Sequence, residues 1–312
     1  MNLQQLKQDN EKITPEESGI KKTIINMKGV FSILFILTNT LVGYPFLLTA
    51  ALLKLVIPLD FSRKFFTRIL NIIATTWLDI NNLLYKKILG VKIEVTGEQD
   101  LAPKEWYMVL SNHQSWSDIV VLQMVFNRRI PLLKFFIKKE LIRVPLLGIA
   151  WWALDFPFMK RFSSEFLKAH PEMKGKDIEI TRKACEKFKY TPVSVMNFVE
   201  GTRFTPVKHA RQKSPYKNLL KPKAGGTGFV FTAMGSMFHC ILNITIKYPE
   251  MDYSIWSFLC GRVHKVDVHI EKLPVDKKLI GDYENDEVYR KYFCKWLNDL
   301  WLEKDKLLSK LK

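Results

Sequence analysis

The chain has 312 residues, 47% hydrophobic and 25% charged, a globular composition that excludes a disordered or fibrous protein. Forty-eight Lys and Arg against 31 Asp and Glu leave a formal charge of +17, which calls for an anionic partner: nucleic acid, a phosphate-bearing substrate or an acidic membrane surface. Cys185, Cys240, Cys260 and Cys294 have neither zinc-site nor C-x-x-C spacing, so they read as reduced, mostly buried thiols in a cytoplasmic setting, and no metal is expected.

Residues 1–27 form a polar tail of mixed charge. Residues 29–53 then run 25 positions without a charge, against the ~20 a helix needs to cross a bilayer core. Pro45 at their centre predicts a kink or break, and Lys21, Lys22, Lys28, Lys54, Arg63 and Lys64 flank both ends. A re-entrant or interfacial hairpin with both ends in the cytoplasm reconciles these signals, so 28–89 is taken as a membrane-anchoring helical region. Its second half, 65–89, carries Arg68, Asp79, Lys86 and Lys87 and reads as an amphipathic or buried helix.

The body spans 90–275. Strands are predicted at 91–97, 106–110, 193–199 and 237–249, and helices at 117–126 and 164–189. Residues 263–271 alternate, which predicts a strand with one solvated face. A basic amphipathic helix over 286–311 closes the chain, within a C-terminal unit at 276–312 packed on the body. Strands separated by helices point to an α/β fold, a mixed sheet covered by helices.

Two motifs follow buried strands directly. Asn112-His113-Gln114-Ser115-Trp116-Ser117-Asp118 is the first. Five positions put His113 and Asp118 about 140° apart on a regular helix. They meet only if His113 sits on the turn before the helix and Asp118 in its first turn, with Ser115 as cap. Chance places a His and an Asp at this spacing ~0.3 times in such a composition, so the pair alone is a weak signal. The second motif, Glu200-Gly201-Thr202-Arg203, is expected by chance on the order of once in a thousand such chains. Arg203 supplies a bidentate fork suited to phosphate, and residues 204–223 add six Lys or Arg and no acid. Ligands of α/β sheets bind at the carboxyl ends of strands, so two parallel strands here would open both motifs onto one edge.

Together, NHQSWSD and FVEGTR resemble the lysophospholipid acyltransferase family, the family of bacterial 1-acyl-glycerol-3-phosphate acyltransferases. Residues 148–161 resemble its second block, LLKPKAGGTG its K-x-G segment and ILNITIKYP its fourth block, with details nearest the branch of lysocardiolipin acyltransferases and bacterial relatives. The fourth block here lacks the usual proline, and Asp155 and Trp151-Trp152 depart from many members.

The resemblance implies acyl transfer from acyl-CoA or acyl carrier protein to a lysophospholipid hydroxyl, most simply 1-acyl-glycerol-3-phosphate, with no cofactor. His113 would be the general base and Asp118 its orienting partner. Glu200, Gly201, Thr202 and Arg203 would bind the acceptor phosphate, with Asn112, Lys160, Arg161 and Lys223 as further candidate substrate-binding residues. The expected setting is a bacterial-type inner membrane with the catalytic domain facing the cytoplasm. The competing readings are acylation of another lysophospholipid, a membrane hydrolase using the same His-Asp pair, and a basic nucleic-acid-binding protein, for which no helix-turn-helix, RRM or zinc-finger pattern is present.

Overall fold

The computed structural model describes residues 19–57, 59–159, 191–250 and 252–311, with isolated positions between 179 and 188. The predicted helix at 164–189 therefore lies largely outside the described residues. Two helices come first, α1 (Gly19–Val56) and α2 (Asp60–Leu83), the latter running into a π-helical turn at Leu84–Ile88. The body contains β1 (Lys92–Gly97), β2 (Tyr107–Ser111), α3 (Ser117–Phe126), β3 (Leu133–Phe135), β4 (Ile137–Lys138) and α4 (Leu147–Ala153). After β5 (Phe158–Met159) come β6 (Ser194–Phe198), α5 (Pro206–Gln212), α6 (Ala224–Met234), β7 (Cys240–Lys247), α7 (Ile255–Leu259), β8 (Lys265–Pro274) and α8 (Glu287–Lys310).

Six strands form one mixed sheet in the order β1-β8-β7-β2-β6-β3, and β4 pairs with β5 separately. β3, β6, β2 and β7 are mutually parallel, whereas β8 runs antiparallel to β7 and carries β1 parallel beside it. Every residue of β2 is buried, which explains a continuous apolar run rather than alternation in this central strand. One sheet face, with Tyr107, Val109, Leu242 and Ile244, packs on Val121, Leu122 and Val125 of α3. The other, with Met108, Leu110, Val195 and Ile241, packs on Val230 and Phe231 of α6 and on Phe293, Leu297 and Trp301 of α8. Strand β8 has the solvated face its alternation suggested, with Val266, Val268 and Ile270 buried on one side and Lys265, His269 and Glu271 reaching solvent on the other. It lies between β1 and β7, and Asp267 on its more open side is buried beside Lys265.

Helix α1 corrects one expectation. It runs unbroken through Pro45 for 38 residues, and the hairpin is made by α1 and α2 rather than by a break within α1. A proline removes one helical hydrogen bond. Contacts on both sides of it hold the helix straight enough to continue. Asn39 Nδ2 donates to Trp77 O at 3.0 Å and Asn81 Oδ1 at 2.9 Å, and Trp77 Nε1 donates to Thr40 Oγ1 at 3.1 Å. The polar residues in the middle of this apolar helix are thus its attachment to α2. Beyond Pro45, Leu47, Ala50 and Ala51 pack against Leu70 and Ala74 of α2 and Ala153 of α4.

At its other end α1 rests on α7. Ser32 Oγ donates to Leu259 O at 2.9 Å, and a Cβ on Gly29 would fall 2.6 Å from Cys260 Sγ and 2.8 Å from Trp256 Cη2, so only glycine admits this approach. From Ser32 to Leu47 the helix covers ~23 Å along the body. Helix α1 is long and apolar enough to cross a membrane, with mean hydropathy 1.8 over its most apolar window, and its outer face exposes Leu34 (57%), Leu41 (60%) and Leu52 (62%). Three of the four cysteines (Cys185, Cys240 and Cys260) are buried and all four are free thiols.

Candidate active site

The parallel pairing of β2 with β6 and β7 decides where the motifs meet. Ser111 at the end of β2 is in register with Phe198 at the end of β6 and with Ile244 in β7. The His113 turn and the Glu200–Arg203 loop consequently leave the sheet side by side, at the edge where α/β folds place ligands. Among the described residues no group of three His, Cys, Asp or Glu could hold a metal ion.

His113 lies on the turn before α3 and Asp118 in the first turn of that helix. His113 Nδ1 stands 2.8 Å from Asp118 Oδ2, and the same oxygen accepts the backbone N–H groups of Gln114 at 2.6 Å and Ser115 at 3.0 Å. Ser115 Oγ accepts from Ser117 N at 3.1 Å, so serine and aspartate cap the helix start reciprocally. The second carboxylate oxygen, Oδ1, accepts the hydroxyl of Tyr248 at 2.7 Å. Asp118 is fully buried and His113 is 9% exposed, so the pair is shielded with one ring edge reaching the surface. The imidazole stacks on Phe198 at 3.9 Å and 14°, which fixes its plane. Among the described residues His113 Nε2 has no hydrogen-bond partner, and it is the atom left for chemistry.

Glu200 was expected to contact phosphate, and its geometry gives it other work. The carboxyl is fully buried, Oε1 accepts His113 N at 3.1 Å, and Oε2 accepts Leu220 N at 3.0 Å. It ties the His113 turn to the segment entering α6, and both of its oxygens are taken by backbone amides. Burial pushes this carboxyl up to about 7, with the two backbone amides pulling the other way. Asn112, expected to touch substrate, is likewise buried and used up. Its amide donates to Ile246 O and its carbonyl accepts Ile246 N, both at 2.9 Å, extending the β2–β7 ladder by one side chain.

Gly201 turns the loop with φ +67°, and its N–H is already given to Phe198 O at 2.9 Å. A Cβ there would meet Lys223 Cδ at 3.1 Å, so the exposed Lys223 side chain runs across this glycine. Arg203 extends over the exposed indole of Trp116, its Cζ 4.7 Å from the ring centroid. Lys208 Nζ donates to Thr202 Oγ1 at 2.8 Å and to Arg203 O at 3.0 Å. Arg203, Lys208 and Lys223 thus make the loop after β6 cationic, and Phe204 N ties that loop to His113 O at 2.7 Å. Lys160 and Arg161 lie outside the described residues. The glycines at 225, 226 and 228 belong to α6, where Gly228 makes room for the Tyr283 ring, 2.3 Å from where a Cβ would stand.

Three residues of this site were not among the expected site residues. Tyr248 holds Asp118 and Trp116 supports Arg203. Lys304 of α8 is 2% exposed beneath the sheet and donates to Ile244 O and, at 3.5 Å, to Thr245 Oγ1. Burial lowers the Lys304 amine to about 7, with the carboxylates of Glu271 and Glu200 opposing. Two of them had a legible signal: Trp116 lies within the first motif, and Tyr248 shares the parity of Leu242, Ile244 and Ile246, which places it on the α3 side of the sheet.

Comparison with known proteins bears on this geometry. The family model described as Acyltransferase matches residues 92–246. Lysocardiolipin acyltransferase 1 of Mus musculus is 25% identical over 299 residues, covering 91% of this chain and 74% of its own. The 1-acyl-sn-glycerol-3-phosphate acyltransferase gamma of Homo sapiens is 26% identical over 183 residues, covering 56% of this chain and 44% of its own. The crystal structure of the 1-acyl-sn-glycerophosphate acyltransferase PlsC from Thermotoga maritima aligns at TM-score 0.49 and 16% identity, over 92% of this chain and 99% of that one. Residues 92–246, which hold the His113–Asp118 pair and the Glu200–Arg203 loop, are an acyltransferase-family domain, and the chain is an O-acyltransferase.

Proposed function

We propose that the chain moves an acyl group from an acyl thioester, acyl-CoA or acyl carrier protein, onto the free hydroxyl of a lysophospholipid. The observation that carries this reading is the His113–Asp118 pair, with Nδ1 held on the carboxylate and Nε2 unpartnered among the described residues beside a cationic loop. Nε2 takes the proton of the acceptor hydroxyl as its oxygen attacks the thioester carbonyl. The tetrahedral adduct then collapses, the C–S bond breaks, and the imidazolium returns its proton to the departing thiolate, leaving ester and thiol. Asp118 orients the ring and supports the transient imidazolium. Arg203, pre-set on Trp116, and Thr202 receive the acceptor phosphate, with Lys208 and Lys223 adding positive charge.

The acceptor we favour is 1-acyl-glycerol-3-phosphate, yielding phosphatidic acid. The alignment with lysocardiolipin acyltransferases runs along 91% of this chain and makes lysocardiolipin the second reading. The exposed leucine face of α1 seats the enzyme on a membrane, where both acyl substrates partition, with the body on the cytoplasmic side. The test is detergent-solubilised protein with labelled acyl-CoA and a panel of lysophospholipids. One acceptor should be acylated, His113→Ala should lose about 10²–10⁴-fold in turnover, and Arg203→Ala should raise KM for that acceptor. Release of free fatty acid alone, or an active His113→Ala enzyme, would overturn the reading.

A further inference from the structure

Asp118 has two oxygens with different duties. Oδ2 serves His113 and two backbone amides of its own turn, while Oδ1 is served by Tyr248, 130 positions away, at 2.7 Å. The path to this contact is set by the sheet. Tyr248 is the first residue beyond β7 and continues the side that carries Leu242, Ile244 and Ile246, so its ring enters the layer between the sheet and α3. There it is 6% exposed and stacks on Tyr253 at 5.1 Å and 17°. Tyr253 is fixed in turn by its carbonyl, which accepts Ser115 Oγ at 2.5 Å. The segment after β7 therefore grips the catalytic turn at both ends, through Asp118 and through Ser115.

We propose that Tyr248 is a positioning residue of the reaction, the third member of a His113–Asp118–Tyr248 chain that holds the carboxylate toward the imidazole. The inference rests on His113 acting as the base. Burial and the neighbouring Asp118 carboxylate keep the Tyr248 hydroxyl well above the ordinary tyrosine range, so it stays protonated and acts only as a donor. The other titratable groups acting on this carboxylate are His113 in its own turn, Tyr253 beyond β7 and Glu200 across the loop. Without the hydroxyl, Oδ1 is buried with no described donor, and the carboxylate is free to turn away from His113. Its charge is also less dispersed, which favours the protonated imidazole and moves the pH at which the base becomes neutral upward.

The experiment is Tyr248→Phe, which keeps the ring and its stack, assayed for kcat, KM and the pH profile of kcat/KM beside His113→Ala and Tyr253→Leu. Tyr248→Phe should lower kcat about tenfold with KM unchanged and shift the acid limb up by about 0.5–1 pH unit. Tyr253→Leu should leave the limb in place. In an Asp118→Asn background, adding Tyr248→Phe should cost nothing further in kcat. An unshifted limb, or equal losses in both backgrounds, would reduce Tyr248 to a packing residue and overturn the inference. An active His113→Ala enzyme would instead overturn the base assignment beneath it, so the two failures are told apart. A Tyr248→Phe protein with lowered melting temperature is still read by its limb, because at a temperature where it stays folded the amount of active enzyme scales the height of the profile and not its position.

Discussion

Replacing Glu200 by Gln separates what the buried carboxylate costs from what it does. The wild-type group accepts two backbone N–H bonds, from His113 and Leu220. A glutamine has one acceptor oxygen, so one of these amides must face an NH₂ group, and an unpaired buried amide costs about 1–3 kcal/mol. Against that stands the burial of the charge itself. A rise from 4.5 to about 7 corresponds to about 3 kcal/mol against folding once the group is ionised. The sign follows from proton counts. Between pH 4.5 and 7 the native state holds the proton that the unfolded state has released, so wild-type stability falls as pH rises through this window. Glu200→Gln lacks that slope. The variant should be less stable than wild type near pH 5 and should gain on it by about 3 kcal/mol toward pH 8. Activity follows a different rule, because the lost clamp releases the backbone of His113, and a shift near 1 Å costs about 10²-fold. Thermal unfolding across pH 5–8 and acyl transfer at pH 8 measure the two effects on one preparation. A stability difference that stays flat with pH, or a variant with wild-type kcat, would refute the reasoning.

Two further outcomes are expected. Lys304→Met removes a buried amine whose folded value sits at about 7, so the native state binds fewer protons than the unfolded one between about 7 and 10.5 and wild-type stability rises with pH there. Calorimetry should find Lys304→Met more stable than wild type by about 2 kcal/mol at pH 6, with the gap closing toward pH 10. Leu41→Lys combined with Leu52→Lys changes only the outer face of α1, and should weaken flotation with phospholipid vesicles by at least tenfold while leaving the melting temperature within about 2 °C, since each buried leucine contributes about 2 kcal/mol to membrane binding.

Much of the site was readable because strands that end in polar motifs announce the carboxyl edge of a sheet. The apolar runs at 106–110 and 193–199 placed β2 and β6, and the residues after them supplied His113, Asp118 and Arg203. Other expectations misjudged residue type against surroundings. Glu200 and Asn112 look like ligand residues in sequence, but each is turned inward onto backbone groups, His113 N and Leu220 N for Glu200 and Ile246 N and O for Asn112. Asn39 and Thr40 look like flaws in an apolar span, yet they bond α2.

Sequence alone placed β1, β2, β6, β7, β8, α3 and α8, the +17 charge, the apolar helix near the N-terminus and the two motifs, because these depend on local periodicity and on residues close together in the chain. Tertiary structure alone decided that β2, β6 and β7 run parallel, that Tyr248 reaches Asp118 across 130 positions, and that Lys304 lies beneath the sheet. Those facts depend on strand order and register, and these are set by how the sheet buries both faces at once, a condition no short window of sequence contains.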